Sequence, residues 1–155
     1  MMRWAGIAPI VRIVQIDADC PDDASTGGAP RPLIHGRLTG EVIGAFYEIY
    51  NELGFGFLES VYSSALEIEF RDRRIPYVRE LPLEVIYKGR VASMSRADFL
   101  VDGKLVVEVK ATRRIGEADK DQLLHYLRGT RTEVGLLLHF GPKAEFYRVV
   151  NSING

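Results

Sequence analysis

Asp98, Glu108 and Lys110 are the residues of this chain whose types and spacing could do chemistry. They lie in the stretch R-A-D-F-L-V-D-G-K-L-V-V-E-V-K, from Arg96 to Lys110. The rest of that stretch reads as a buried β-hairpin. Phe99, Leu100, Val101, Leu105, Val106, Val107 and Val109 are strand formers, and Asp102-Gly103 is a turn signal. A charge in a core-bound strand costs roughly several kcal/mol unless it is paired or metal-bound. Two acids and a lysine in such a place therefore serve one another or a cation. A hard divalent cation such as Mg2+ takes carboxylate and water oxygens. Its bound water is easier to deprotonate, a nearby lysine can orient that water, and the metal neutralises charge on a phosphate oxygen.

Alternation along a strand puts Val106, Glu108 and Lys110 on one face and leaves Leu105, Val107 and Val109 for the core. The side taken by Asp98 depends on the turn. A two-residue turn at Asp102-Gly103 pairs Asp98 with Val107, on the wrong face. A three-residue loop Val101-Asp102-Gly103, with Gly103 left-handed in a bulge, pairs it with Val106. The bulged loop is expected, with Asp98 and Glu108 diagonal neighbours about 7–8 Å apart at Cα. A simpler alternative stays open, in which Glu108 and Lys110 are an ion pair on a half-exposed strand.

The elements that must position these residues are legible as patterns. Residues 1–37 read as a tail, with a short strand over Ile10–Ile16 and a linker, D-A-D-C-P-D-D-A-S-T-G-G-A-P-R-P, over Asp17–Pro32. One domain is expected over 38–155. Thr39 is placed to cap a helix carrying Val42, Ile43, Phe46, Ile49, Tyr50 and Leu53, which ends at Gly54. A second helix is predicted over Leu58–Arg73, before Pro76. Strands are predicted over Tyr77–Tyr87, Val91–Val101 and Leu105–Lys110, then a helix over Ala118–Leu127 and strands over Glu133–Phe140 and Glu145–Val150. The order is ααβββαββ, an α/β fold with a central mixed sheet flanked by helices.

Composition excludes little. The chain has 155 residues, 46% hydrophobic and 26% charged, with a net charge of −1. That gives no global pull toward nucleic acid or membrane, but a local basic cluster is compatible with it. The single cysteine, Cys20, rules out an internal disulfide and fits a reducing, cytoplasmic setting. No stretch approaches the ~18 apolar residues of a membrane span. Pro9 and Arg12 interrupt the apolar N-terminal runs, so no signal peptide is expected.

The spacing D-x9-E-x-K across a hairpin, followed by a helix bearing glutamine, resembles the core of the PD-(D/E)XK nuclease superfamily. G-F-L-E-S-V-Y, from Gly56 to Tyr62, is similar to the signature of the bacterial GxxExxY proteins within it. The similarity runs from Leu38 to Asn151 and includes L-T-G-E-V-I-G-A, R-A-D-F-L-V-D-G-K, V-E-V-K-A, D-Q-L-L-H-Y-L and V-G-L-L-L-H-F-G. His125 and His139 stand where that pattern has asparagine, and no proline precedes Asp98.

The resemblance implies a restriction-endonuclease-like core and a Mg2+-dependent activity, with Mn2+ as a substitute, that hydrolyses phosphodiester bonds of nucleic acid. Asp98 and Glu108 would be the metal-binding acids and Lys110 the catalytic lysine. Glu59 would assist from the helix before the sheet, and Gln122 would hold a water or a phosphate. Arg113, Arg114 and Lys120, just past the E-x-K strand, are placed to meet a nucleic-acid backbone. The alternative is a non-catalytic nucleic-acid-binding or protein-interaction module with the same fold. A homodimer is compatible with so small a domain. His35 lies in the linker, and His125 and His139 lack zinc-ligand spacing with any cysteine or second histidine. From residue chemistry alone, Tyr62 reads as core packing and Glu59 as a favourable acid near a helix N-terminus.

Overall fold

The computed structural model describes residues 12–17 and 33–152. Its elements are β1 (Arg12–Asp17), α1 (Gly36–Leu53), α2 (Glu59–Asp72), β2 (Tyr77–Tyr87), β3 (Arg90–Val101), β4 (Leu105–Lys110), α3 (Glu117–Thr130), β5 (Val134–Phe140) and β6 (Ala144–Ser152). From α1 onward the order is ααβββαββ, as the periodicities predict. β1 falls in the stretch read as a short strand and pairs antiparallel with β6. The expected linker lies outside the described residues. The strands form one mixed sheet in the order β1-β6-β5-β4-β3-β2, in which β4 and β5 run parallel. A right-handed crossover through α3 is the usual way to connect two such strands.

Helices cover both faces. Phe46, Tyr62, Leu66 and Phe70 of α1 and α2 pack with Phe99, Leu105, Val107, Val109 and Phe140 in one apolar cluster. Leu123, Leu124 and Leu127 of α3 pack with Val106, Leu137 and Val149 in the other. β4 thus divides its side chains as strict alternation requires: odd-numbered residues toward α1 and α2, even-numbered ones toward α3.

Two local expectations need correction. Thr39 does not cap α1. His35, left-handed at φ 52°, turns the chain into the helix, and Thr39 sits buried inside it with its N–H donated to the His35 carbonyl at 2.9 Å. The β3–β4 loop is not Val101-Asp102-Gly103 but Asp102-Gly103-Lys104, because Val101 stays paired with Leu105. Asp102 and Gly103 are both left-handed, and the Lys104 N–H closes the turn on the Val101 carbonyl at 3.0 Å. Val101 is β-branched and fully buried, so it holds its strand position, while Lys104 is exposed and pairs with Asp102 at 3.2 Å.

A second irregularity shapes the hairpin of β2 and β3. Tyr77, Phe99 and Val101 pack with the α1–α2 cluster, yet Leu81, Leu83 and Ala97, at positions of the same parity, pack with α3. The faces change at Glu80, which is left-handed at φ 54° and lies between the pairs Arg79↔Phe99 and Leu81↔Ala97, opposite Asp98.

Candidate active site

Asp98 and Glu108 meet where β3 and β4 part. Their ladder ends at Phe99↔Val107, while β4 continues beside β5 as far as Lys110↔His139. The next residues past that last rung are Asp98 and Glu108, so they face each other directly and not diagonally. Their carboxylates replace ladder carbonyls as acceptors. The Asp98 N–H donates to Glu108 Oε1 at 3.0 Å, and the Val109 N–H donates to Asp98 Oδ2 at 2.8 Å. The two carboxyl groups lie close enough to share one proton. Burial, and then the adjacent Asp98 charge, push the Glu108 carboxyl up to about 9. Burial raises Asp98 as well, against the opposing Val109 N–H, the Glu108 hydrogen bond and the positive Lys110 and Arg79. Such a pair retains a proton at neutral pH unless a cation replaces it.

Lys110 follows on the same strand, and α3 holds its ammonium. Nζ donates to Gln122 Oε1 at 3.1 Å and lies 3.6 Å from Asp119 Oδ1. Gln122 Nε2 in turn donates to the Tyr126 hydroxyl at 2.8 Å. Burial and then the Glu108 charge raise the Tyr126 phenol. Asp119, Gln122 and Tyr126 stand at i, i+3 and i+7, hence on one face of α3.

Glu59 approaches from the other helical layer, as the first residue of α2. Partial burial, followed by the Asp98 charge, raises its carboxyl above the usual carboxylate range, against the opposing Lys110 charge and the Ala111 N–H. Tyr62 fixes the loop that delivers Glu59. It is fully buried and stacks on Phe140 at 4.1 Å, and its hydroxyl bridges the Gly54 carbonyl and the Phe57 N–H.

The structure therefore brings Asp98, Glu108, Lys110, Glu59 and Gln122 together at the end of β4. Asp119, Tyr126 and the nearby Arg79, which forms an ion pair with Glu67, were missed from sequence. The spacing of Asp119 and Tyr126 around Gln122 was the available signal. Arg113 and Arg114 are exposed in the loop just past β4, with the Arg113 guanidinium 5.8 Å from the centre of the Phe55 ring. Lys120 is engaged elsewhere, 3.3 Å from Glu117 Oε1 and 4.8 Å above the Tyr147 ring. His139 is buried, and its Nε2 bonds the Thr112 carbonyl, which ties down the loop that carries the two arginines. His125 is exposed.

Among the described residues, no group of three or more His, Cys, Asp or Glu side chains forms a metal-ligand cluster. The donor set is the pair Asp98 and Glu108. It fits a hard cation that keeps several waters, since both donors are carboxylates and they lie side by side.

A mixed sheet between two helical layers, with an aspartate, a Glu-x-Lys strand and a supporting helix at one strand end, defines a nuclease-like α/β class. A profile of the PD-(D/E)XK nuclease superfamily matches residues 36–149, and the chain belongs to that superfamily. No curated protein matches the sequence. Among solved structures, the crystal structure of SSO0001 is similar at 23% identity and a TM-score of 0.48, covering 75% of this chain and 59% of that one. No helix among the described residues is long and apolar enough to cross a membrane.

Proposed function

We propose that the chain is a Mg2+-dependent nuclease, with Mn2+ as a substitute, and that it belongs to the GxxExxY group of its superfamily. The observation that carries this reading is the Asp98–Glu108 pair, side by side where β3 and β4 part, beside a lysine held in place by α3. Bound by those two carboxylates, the cation would supply a polarised phosphate oxygen and a water of lowered pKa. Lys110 orients the attacking water, and Gln122 and Asp119 hold its ammonium where that water must sit. Glu59 accepts hydrogen bonds from water at the open side of the pair. Arg113 and Arg114 neutralise the incoming phosphates, and Lys120 adds to them once it leaves its Glu117 partner. The cytoplasm is the compartment that such a substrate and the lone Cys20 favour.

The test couples titration calorimetry with Mg2+ to cleavage assays on single-stranded DNA, duplex DNA and RNA. Binding in the micromolar to millimolar range with Mg2+-dependent cleavage, lost in folded Asp98→Ala and Lys110→Ala proteins, supports the reading. Cleavage that persists in folded Lys110→Ala overturns it. Metal binding with no cleavage of any substrate favours the alternative, a non-catalytic nucleic-acid-binding or protein-interaction module with the nuclease fold.

A further inference from the structure

The segment that delivers Glu59 also exposes a patch that neither the fold nor the carboxylate site uses. Phe55, Phe57, Leu58 and Val61 are 39%, 47%, 75% and 37% open to solvent. Gly56, at φ 121°, takes a backbone conformation closed to other residues and lets two aromatic residues flank a sharp bend. The Arg113 guanidinium lies over the Phe55 ring, which joins this loop to the loop past β4. The patch is continuous with the site at two points. Leu58 directly precedes Glu59, which feels the Asp98 and Lys110 charges, and Arg113, over the Phe55 ring, follows Lys110 in the loop past β4. Lys110 and Arg113 are three residues apart, so their Cα atoms are at most about 11 Å apart, a reach that a strand of nucleic acid covers in a few nucleotides.

Aromatic faces next to an arginine and beside a phosphate-handling site fit one occupant better than others. Every unpaired base presents a π-face, and each phosphate between bases presents a charge for Arg113 and Arg114. A paired, stacked duplex hides those faces. We propose that Phe55 and Phe57, with Arg113, form a platform on which unpaired bases of a single-stranded nucleic acid stack while its backbone runs to the Asp98–Glu108 pair. This rests on the nuclease reading above and names the substrate class of the same site.

Binding is measured separately from cleavage, by fluorescence anisotropy in EDTA. The probes are labelled 12-nucleotide DNA and RNA single strands of one sequence, the corresponding duplex, and an abasic strand of equal length. The intact protein binds the base-bearing single strands at least tenfold tighter than the duplex or the abasic strand. Phe55→Ala and Phe57→Ala each weaken the base-bearing strands by about tenfold to a hundredfold, and leave the abasic strand unchanged. Because Phe57 packs edge-on against Tyr62 at 6.1 Å, Phe57→Leu serves as a second variant that keeps apolar packing and lacks the π-face. It behaves like Phe57→Ala. Arg113→Ala weakens base-bearing and abasic strands alike.

Equal affinity for single strand and duplex, or unchanged single-strand affinity in both Phe55→Ala and Phe57→Leu, overturns the platform even if the protein cleaves. So does sedimentation that shows the patch buried in a dimer which Phe55→Ala dissociates. Base-dependent binding without cleavage keeps the platform and rejects the nuclease reading. A preference between the DNA and RNA strands identifies which polymer the platform takes.

Discussion

Glu108 and Asp98 each hold the other's strand by a backbone amide: Glu108 accepts the Asp98 N–H at 3.0 Å, and Asp98 accepts the Val109 N–H, one residue past Glu108, at 2.8 Å. The carboxylates thus close the fork between β3 and β4 and remain side by side, which makes the pair both a structural clasp and a source of electrostatic stress.

That stress has a sign in pH. The folded Glu108 carboxyl titrates at about 9, above the ordinary 4.5, so the folded state holds a proton that the unfolded state releases between those values. Stability of the metal-free protein is therefore full below about pH 4.5, as far as this group goes, and falls as pH rises toward 9. Glu108→Gln mimics the protonated acid, with its amide donating to Asp98. In EDTA at pH 8 it raises unfolding free energy by about 2 kcal/mol and flattens the decline between pH 5 and 9. Urea denaturation across that range checks this; a destabilised Glu108→Gln protein at pH 8 contradicts it.

Cation binding must displace the retained proton. Mg2+ affinity should rise with pH between 6 and 9, with release of about one proton per ion. Calorimetry in buffers of different ionisation enthalpy reads the proton count directly, and a count of zero contradicts the coupling.

Lys110 and Asp119 should separate in their kinetic effects. Lys110→Ala removes the group that orients water and lowers kcat on the order of 10²–10⁴-fold. Asp119→Asn keeps Gln122 as a partner for the ammonium but drops the charge 3.6 Å away, and costs about tenfold. Single-turnover cleavage rates under saturating Mg2+ distinguish them, and equal losses would show that Asp119 is more than a positioning residue.

Tyr62 divides into a ring and a hydroxyl. Tyr62→Phe keeps the stack on Phe140 but leaves the Gly54 carbonyl without its side-chain donor, at a cost of about 1–2 kcal/mol. Tyr62→Ala empties a fully buried site and costs about 3–5 kcal/mol. Thermal unfolding of the two variants gives the split.

Much of this fold was legible from residue patterns because the patterns are local. The alternation in β4 assigned Leu105, Val107 and Val109 to one face and Glu108 and Lys110 to the other, and the glycine after Leu53 does end α1. The hairpin register was not legible. It turned on whether Val101 or Lys104 leaves the ladder, and the answer came from the burial of Val101 under helices remote in sequence. The face change at Glu80 was hidden for the same reason: nothing in R-E-L-P-L marks a left-handed glutamate, and tertiary packing of Leu81 and Leu83 on α3 imposes it. Asp119 and Tyr126 stayed hidden because polar residues on a helix usually face solvent, and only the position of Lys110 shows which way these turn.

The left-handed Glu80 opposite Asp98 has a consequence for engineering. Everything between Leu81 and Ala97 lies beyond the bend, on a two-stranded ribbon whose turn, Lys88-Gly89, is exposed. Residues added at that tip lengthen the ribbon without moving either carboxylate. The tip is therefore the natural graft point for a tag or a targeting module, whereas a single residue inserted between Asp98 and Val101 would slide Asp98 out of reach of Glu108.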